Sequence, residues 1–388
     1  MLKATSKYTA KPSCHCRKED EMKTIGLISA TYSGNGFGGL TKERTLASLP
    51  FCGRYRLIDF ALSNMVNSGI QTVGVITPYN SGSLIDHIGT GSPWSLDRKS
   101  GGLFLMPGSV YGVQTGESRF LMRDMIENRM FLERDDADYV IVTSSSDVYN
   151  MSFEPLIKAH KESGRPVTAV YMKVPRGEKY KGYFFDIDMS GKVTSINSKA
   201  RGWSNYFMEC FIINREFMMN FLNWFKALEY MDMFQLMKKN LDHVDMGTYE
   251  FKGYLGKISN TQDYLKVSQD MCVHEIRNEV FNNKERMIYT KTQDEAPAFF
   301  TPGSDVRNSI ISTGCLIEGT VENSIIFRSV NIGKGAVVKN SIIMMHVDIG
   351  DGAMLDNVIA DKYVKISDKV KVEGDEDEPV IIPKSMQI

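Results

Sequence analysis

The chain runs to 388 residues, 42% of them hydrophobic and 24% charged, which is enough for two domains with full cores. With 46 basic against 47 acidic residues, its net charge of -1 supplies no field for gathering nucleic acid or an anionic membrane surface. No run approaches the roughly 18 apolar residues of a membrane span and the N-terminus has no apolar signal core, so the expectation is a cytoplasmic protein.

Residues 1–21 are polar and aperiodic and read as a disordered extension ahead of Met22. The six cysteines are scattered; only Cys14, His15 and Cys16 lie close, without a second ligand pair at zinc-site spacing, which fits reduced thiols. From 22 to 290, β-branched apolar runs such as TIGLIS, QTVGVIT and ADYVIVT alternate with amphipathic segments. Between the first two runs, Leu57, Ile58, Ala61, Leu62, Met65 and Val66 share one helical face, with Gly69 placed to cap it. A second helix, FEPLIKAHKESG, follows the third run. The alternation predicts right-handed βαβ units, hence an α/β domain with a mostly parallel sheet covered on both faces.

Ligands of such sheets sit beyond the carboxyl ends of the strands, where SATYSGNGFGG and TSSSDVYN fall. The first of these carries Gly34, Gly36 and Gly39 in the G-x-G-x-x-G spacing of dinucleotide loops, with Asp59 about 20 residues on. That pattern needs a helix opening at its last glycine. Here LTKERTLASLP follows, and Pro50 stops any helix, so a hydride-transfer site is a poor expectation.

Residues 291–303 read as a linker, and from 304 to 388 the pattern changes. NSII at Asn308 returns at Asn323 and Asn340 and as NVIA at Asn357, at intervals of 15, 17 and 17 residues. Ile332-Gly333 and Gly335-Ala336 return as Ile349-Gly350 and Gly352-Ala353. A period near three hexapeptides predicts a parallel β-helix, with aliphatic residues stacked inward, Gly or Asn at the corners and EGDEDEP closing the end.

This organisation resembles the sugar-phosphate nucleotidyltransferases, which join a Rossmann-like domain to a short left-handed β-helix of hexapeptide repeats. The stretch LTKERTLASLPFCGRYRLIDFALSNMVNSGI, 40–70, is similar to the nucleotide-binding segment of bacterial ADP-glucose pyrophosphorylase. That family joins glucose 1-phosphate to the α-phosphate of ATP and releases pyrophosphate in glycogen synthesis. The reaction brings two anionic phosphates together, so it depends on a Gly-Gly cradle, an arginine, a lysine and Mg²⁺ held by aspartates.

Aligned on Leu40-Thr41, the family's paired glycines fall at Thr31 and Tyr32 and its arginine at Gly36. Its lysine falls at Leu46, one metal aspartate at Ser146 and the other at Lys257. Loss of a transition-state arginine alone costs roughly 10³ to 10⁵ in rate. The resemblance is therefore to the D-type, non-catalytic subunit, a regulatory chain with no cofactor of its own. It would join a catalytic ADP-glucose pyrophosphorylase subunit, which holds the Mg²⁺, in a hetero-oligomer, a tetramer by the family's habit.

Further candidates carry competing readings. Asp147, one residue late, could rescue the metal carboxylate and leave an active nucleotidyltransferase with a rearranged site. Lys199 matches the lysine with which the family grips the sugar phosphate, or is a solvated strand end. Arg54 and Arg56 match cations that bind phosphorylated-sugar effectors between the family's two domains; ion pairing with Asp59 is the alternative. Asp186 and Asp188 fit a hairpin turn beside MSGK better than a metal site. His346 could serve as a general base, as in hexapeptide acyltransferases, but a single histidine on a coil is more simply a surface polar group.

Overall fold

The computed structural model describes residues 22–32, 36–108, 119–134, 136–175, 180–199 and 204–388. The extension 1–21 with its Cys14-His15-Cys16 cluster, and Gly34, lie outside the described residues.

The strands of the N-terminal domain are, in chain order, β1 (Thr24–Ser29), β2 (Pro50–Phe51), β3 (Tyr55–Arg56), β4 (Thr72–Thr77), β5 (Gly102–Pro107), β6 (Tyr139–Ser144), β7 (Asp147–Val148), β8 (Val167–Val174), β9 (Phe184–Ile187), β10 (Val193–Asn197), β11 (Ser204–Asn214), β12 (Met246–Glu250) and β13 (Gly256–Lys257). The main sheet has the order β10-β9-β11-β6-β1-β4-β5, with β8 beside β11 and β12 beyond β8. Its centre, β6-β1-β4-β5, is parallel, and β11 pairs antiparallel with β6. Both faces are covered: Val140 and Val142 of β6 enter one apolar cluster and Ile141 enters the other. Fully apolar runs are what a doubly covered parallel strand requires.

Helix α1 (Leu57–Asn67) begins where the Asp59 carboxylate accepts the Arg56 backbone N–H at 3.0 Å, and Gly69 follows it at φ +73. Its Ile58, Ala61, Leu62 and Met65 pack on the sheet, while Leu57 and Phe60 turn to the C-terminal domain. Apolar residues thus occupy two faces of one helix, which joins the two domains.

The C-terminal domain stacks three five-stranded parallel sheets. One begins at Phe299–Phe300, inside the stretch read as linker, and the others begin at Asp305–Arg307 and Ile310–Ile311. The repeated asparagines sit at the corners: Asn308, Asn323, Asn340 and Asn357 have φ of +42, +48, +45 and +53. Asparagine tolerates that region better than other non-glycine residues, and here the amides also bond along the stack. Asn308 donates to Asn323 at 3.0 Å and Asn323 to Asn340 at 2.8 Å. One expectation is corrected. EGDEDEP does not close the stack; it is a loop between Lys371–Glu373 and Val380–Ile382, and Asp377 accepts from Gln262 of the other domain. The closing residues are the last ones, whose Met386 and Ile388 carbonyls accept from Lys365 and Ser367.

The domains share one core. Leu40, Leu46, Phe51, Phe60 and Tyr264 of the first pack with Ile325, Phe327, Ile342, Met344 and Ile359 of the second. At its edge Arg44, 5% exposed, meets Asp361, 1% exposed, with one guanidinium nitrogen reaching both carboxylate oxygens, one of them at 2.6 Å. Breaking a buried pair from one side strands a charge, so Asp361→Ala should lower stability by about 3–5 kcal/mol. Urea unfolding followed at the interface would check it, and a loss below about 1 kcal/mol would mean that the pair is solvated.

Candidate functional site

The carboxyl end of β6 runs through buried Ser144, Ser145 and Ser146 into β7, which pairs antiparallel with β13. That short ladder sets Asp147 opposite Lys257. The Lys257 ammonium lies 3.4 Å from the Asp147 carboxylate and 2.6 Å from Glu209. Both side chains of the facing pair are more than nine-tenths buried.

Glu209 arrives from an irregularity. Between Phe207 and Phe211 the register of β11 against β8 shifts, and within that bulge Glu209 takes φ +52. A non-glycine residue in this region costs of order 1 kcal/mol or more, and persists only where its surroundings over-determine it. They do here, because the Glu209 carboxylate also meets Arg119, 3.1 Å away. The Arg119 guanidinium lies 3.1 Å above the ring of Tyr32 and donates to Ser146 Oγ at 3.2 Å. Its backbone is held as well: the Arg119 carbonyl accepts from Ser29 Oγ at 2.5 Å and its N–H donates to Asp232 at 3.0 Å.

The titration behaviour follows this geometry. Burial pushes Asp147 up to about 6, against the pull of Lys257. Burial also opposes ionisation of Glu209, but Arg119 and Lys257 outweigh it and hold that carboxyl below the usual range. For Arg119, burial works against the charge, and Glu209, Tyr32 and Asp147 more than restore it. Two cations and two carboxylates thus neutralise one another where a ligand of this sheet would sit.

The sequence candidates fall into place unevenly. Thr31 is buried, its hydroxyl 3.2 Å from Ser29 Oγ, and Tyr32 is the floor beneath Arg119. Gly36 bridges to Asn260, the cap of the helix Thr261–Asp270, and a Cβ there would lie 2.8 Å from the Asn260 side chain. A Cβ on Gly38 would lie 2.7 Å from Ile381 of the β-helix. Gly36 and Gly38 thus make room for neighbouring parts of the chain, whereas a Cβ on Gly39 would meet only Pro383, at 3.9 Å. Leu46 is buried in the interdomain core and Ser146 inside the ion cluster.

Lys257 neither faces solvent nor stands alone: it neutralises Asp147, the carboxylate that could have rescued the metal site. Lys199 is exposed and forms no ion pair with the cluster among the described residues. Asp188 takes its hairpin role, accepting from the Ser190 and Lys192 backbone at 2.8 and 3.0 Å, while Asp186 pairs with Asn197 on the neighbouring strand. His346, at φ +58, stacks on Tyr363 at a corner of the β-helix. Sequence reasoning missed Arg119 and Glu209. Glu209 had a signal, a lone charge inside the apolar run YFMECFII; Arg119 had none.

A second charged cluster lies between the domains. Arg56 turns inward and donates to the Ser83 carbonyl and hydroxyl at 2.6 and 2.8 Å. Its expected ion pair with Asp59 does not form: Asp59 accepts only its backbone N–H and faces His87 Nε2 at 2.6 Å. Arg54 stays exposed over the Tyr55 ring. Burial pulls Lys362 down to about 8, helped by Arg44 and Arg56. Among the described residues neither Arg56 nor Lys362 has a carboxylate within ion-pairing distance, although Arg44 is matched by Asp361 and Arg328 by Glu295 at 3.5 Å.

Residues 26–291 match the nucleotidyl transferase family and residues 298–380 the GlmU-like C-terminal hexapeptide family. The chain belongs to the nucleotidyl transferases. Among its relatives, the glycogen biosynthesis protein GlgD of Bacillus subtilis is 31% identical over 80% of this chain and 81% of its own length. The glucose-1-phosphate adenylyltransferase of Thermotoga maritima is 33% identical over 81% of this chain and 76% of its own. That of Clostridium acetobutylicum is 30% identical over 81% and 84%.

The family's Mg²⁺ does not fit the residues present. A divalent cation at Asp147 would meet the Lys257 ammonium, and the nearby Glu209 is already shared by two cations.

The raised Asp147 gives a signed pH prediction. The folded chain keeps a proton that the unfolded chain releases between roughly pH 4 and about 6. The stability this proton contributes is present below roughly pH 4 and lost as the pH climbs to about 6. The stability of the wild type relative to Asp147→Asn should therefore fall across that window and level off above it. Urea midpoints at five pH values would check this, and a difference that rises over the window would contradict it.

Proposed function

We propose that this chain is the regulatory, catalytically silent subunit of a glucose-1-phosphate adenylyltransferase in cytoplasmic glycogen biosynthesis. It would modulate a catalytic partner within a hetero-oligomer, a tetramer in the simplest case. The observation that carries this reading is the closed ion cluster of Arg119, Glu209, Lys257 and Asp147. Phosphoryl chemistry needs cations free to meet developing negative charge, and these are already neutralised by the chain's own carboxylates. The similarity to GlgD and to adenylyltransferases supports the pathway.

Against the silent site stands the cluster between the domains, where Arg56 and Lys362 keep unmatched charge. A phosphorylated-sugar effector is the ligand this chemistry suits, since the guanidinium and ammonium can both donate to phosphate oxygens. Arg56 is the retained effector residue in this reading, and Arg54 lies outside it. The competing reading, an active enzyme that recruits Asp147, is disfavoured by the commitment of that carboxylate to Lys257. A vestigial role for Lys199 finds no support in its exposed position.

Two measurements test the proposal. The isolated chain, given Mg²⁺, ATP and glucose 1-phosphate, should turn over far below the roughly 1 to 10³ s⁻¹ of ordinary enzymes, while mixing with the catalytic chain should yield a hetero-oligomer with altered effector response. Full turnover alone, or no co-elution and no kinetic change on mixing, would defeat it. In the hetero-oligomer, Arg56→Ala and Lys362→Ala should blunt the response to a sugar phosphate. That response should weaken as the pH rises through about 8, where Lys362 loses its charge.

A further inference from the structure

We infer that Glu209 is a resident anion: its carboxylate fills a phosphate-sized position between Arg119 and Lys257, and without it this pocket binds a polyphosphate group. The inference rests on the reading of the pocket as silent and goes beyond it, because it names what closes the pocket and what ligand the closed pocket would otherwise take.

Four features converge. Two cations from different parts of the chain meet one carboxylate, Lys257 at 2.6 Å and Arg119 at 3.1 Å. Cations on two sides of one anion are an arrangement by which proteins hold phosphate, and the Glu209 Oε2 that faces Arg119 makes no hydrogen bond of its own. The hydroxyls of Ser144 and Ser146, 3.1 Å apart, lie beside it, and Ser146 Oγ already accepts from Arg119. The place is the carboxyl end of β1 and β6, where the parallel sheet delivers its loops.

The backbone supplies the fourth. Glu209 holds φ +52 inside β11, a conformation that glycine takes without cost and glutamate does not. The strain is borne by the one residue whose carboxylate lies within ion-pair distance of both cations. Replacing it with glycine would relax the backbone, empty the volume of the side chain, and change the local sum of charge from zero to +1. Two buried cations left with Asp147 alone would recruit an anion from solution.

Inorganic tripolyphosphate is the probe. Wild type and Glu209→Gly, each as the full chain, are titrated by calorimetry and by thermal unfolding. The glycine variant should gain one binding event relative to wild type, with affinity about tenfold to a hundredfold above anything the wild type shows at this pocket. Its melting temperature should climb with probe concentration, as linkage requires. Any tripolyphosphate held between the domains would appear equally in both proteins and cancels in the comparison. Adding Arg119→Ala to the glycine variant should abolish the gained event.

Equal stoichiometry in wild type and Glu209→Gly, or a gained event indifferent to Arg119→Ala, would overturn the inference. Should the glycine variant not fold, Glu209→Ala removes the carboxylate and most of its volume; its unfolding midpoint should become more sensitive to tripolyphosphate than that of wild type, and an unchanged sensitivity would overturn the inference by the same logic. These outcomes separate from the proposed function. Failure here leaves a silent chain closed by other means, whereas turnover by the isolated wild type would remove the silent chain itself.

Discussion

One buried carboxylate organises the centre of this molecule. Glu209 touches both Lys257 and Arg119, and each of those residues ties in a separate part of the chain. Lys257 belongs to the β7–β13 ladder that also holds Asp147. Arg119 is fixed by Ser29 of β1, by Ser146 after β6 and by Asp232, the cap of the helix Met233–Lys239. An uncompensated charge at this depth would cost several kcal/mol, so the four residues stand or fall as a group. The strained backbone at Glu209 is tolerable because that alternative is worse.

The same electrostatic logic separates this cluster from the one between the domains. At the sheet, each cation has its carboxylate, and nothing is left over for a ligand. Between the domains, Asp361 answers Arg44 and Glu295 answers Arg328, while Arg56 and Lys362 have no carboxylate partner among the described residues. The depression of Lys362 follows from burial and from the neighbouring arginines, which raise the free energy of its charged form. A charged form made costly by like charges is one that a phosphate relieves. One cluster is therefore satisfied internally, and the other is the one that the proposed effector would satisfy.

How much of this was legible in the sequence depends on range. The parallel sheet and the β-helix were, because both rest on short-range periodicity: apolar β-branched runs such as YVIVT, and asparagines returning every 15 to 17 residues to the same corner. Belonging to the nucleotidyl transferases was legible too, through the wording of residues 40–70. The site was legible only as a set of losses. At Lys257 the sequence suggested a charge that repels metal; the fold turned it into a counter-ion for Asp147, 110 residues away in the chain. Arg119 and Glu209 are 90 positions apart, and no local pattern could have joined them. Gly34, Gly36 and Gly39 had the spacing of a phosphate cradle, yet Gly36 makes room for Asn260. Spacing showed that the backbone must come close to something, and only the fold could say to what.

The interdomain core explains why a chain with a closed pocket would keep its whole architecture. Helix α1 packs Ile58 and Leu62 on the sheet, and Leu57 and Phe60 on the side of the β-helix, so movement of either domain is felt by the other. Arg56 starts that helix with its backbone and reaches Ser83 with its side chain, while Asp361, next to Lys362, locks onto Arg44. An anion drawn to Arg56 and Lys362 would touch both domains at once, at the start of the helix that packs against each. Its binding energy would be available to bias how the β-helix sits on the sheet domain, which is a surface property that a partner chain can read. If the sheet pocket is silent, as proposed, that coupling would be simpler, since an anion between the domains would have no second substrate-like anion to compete with for the protein's response.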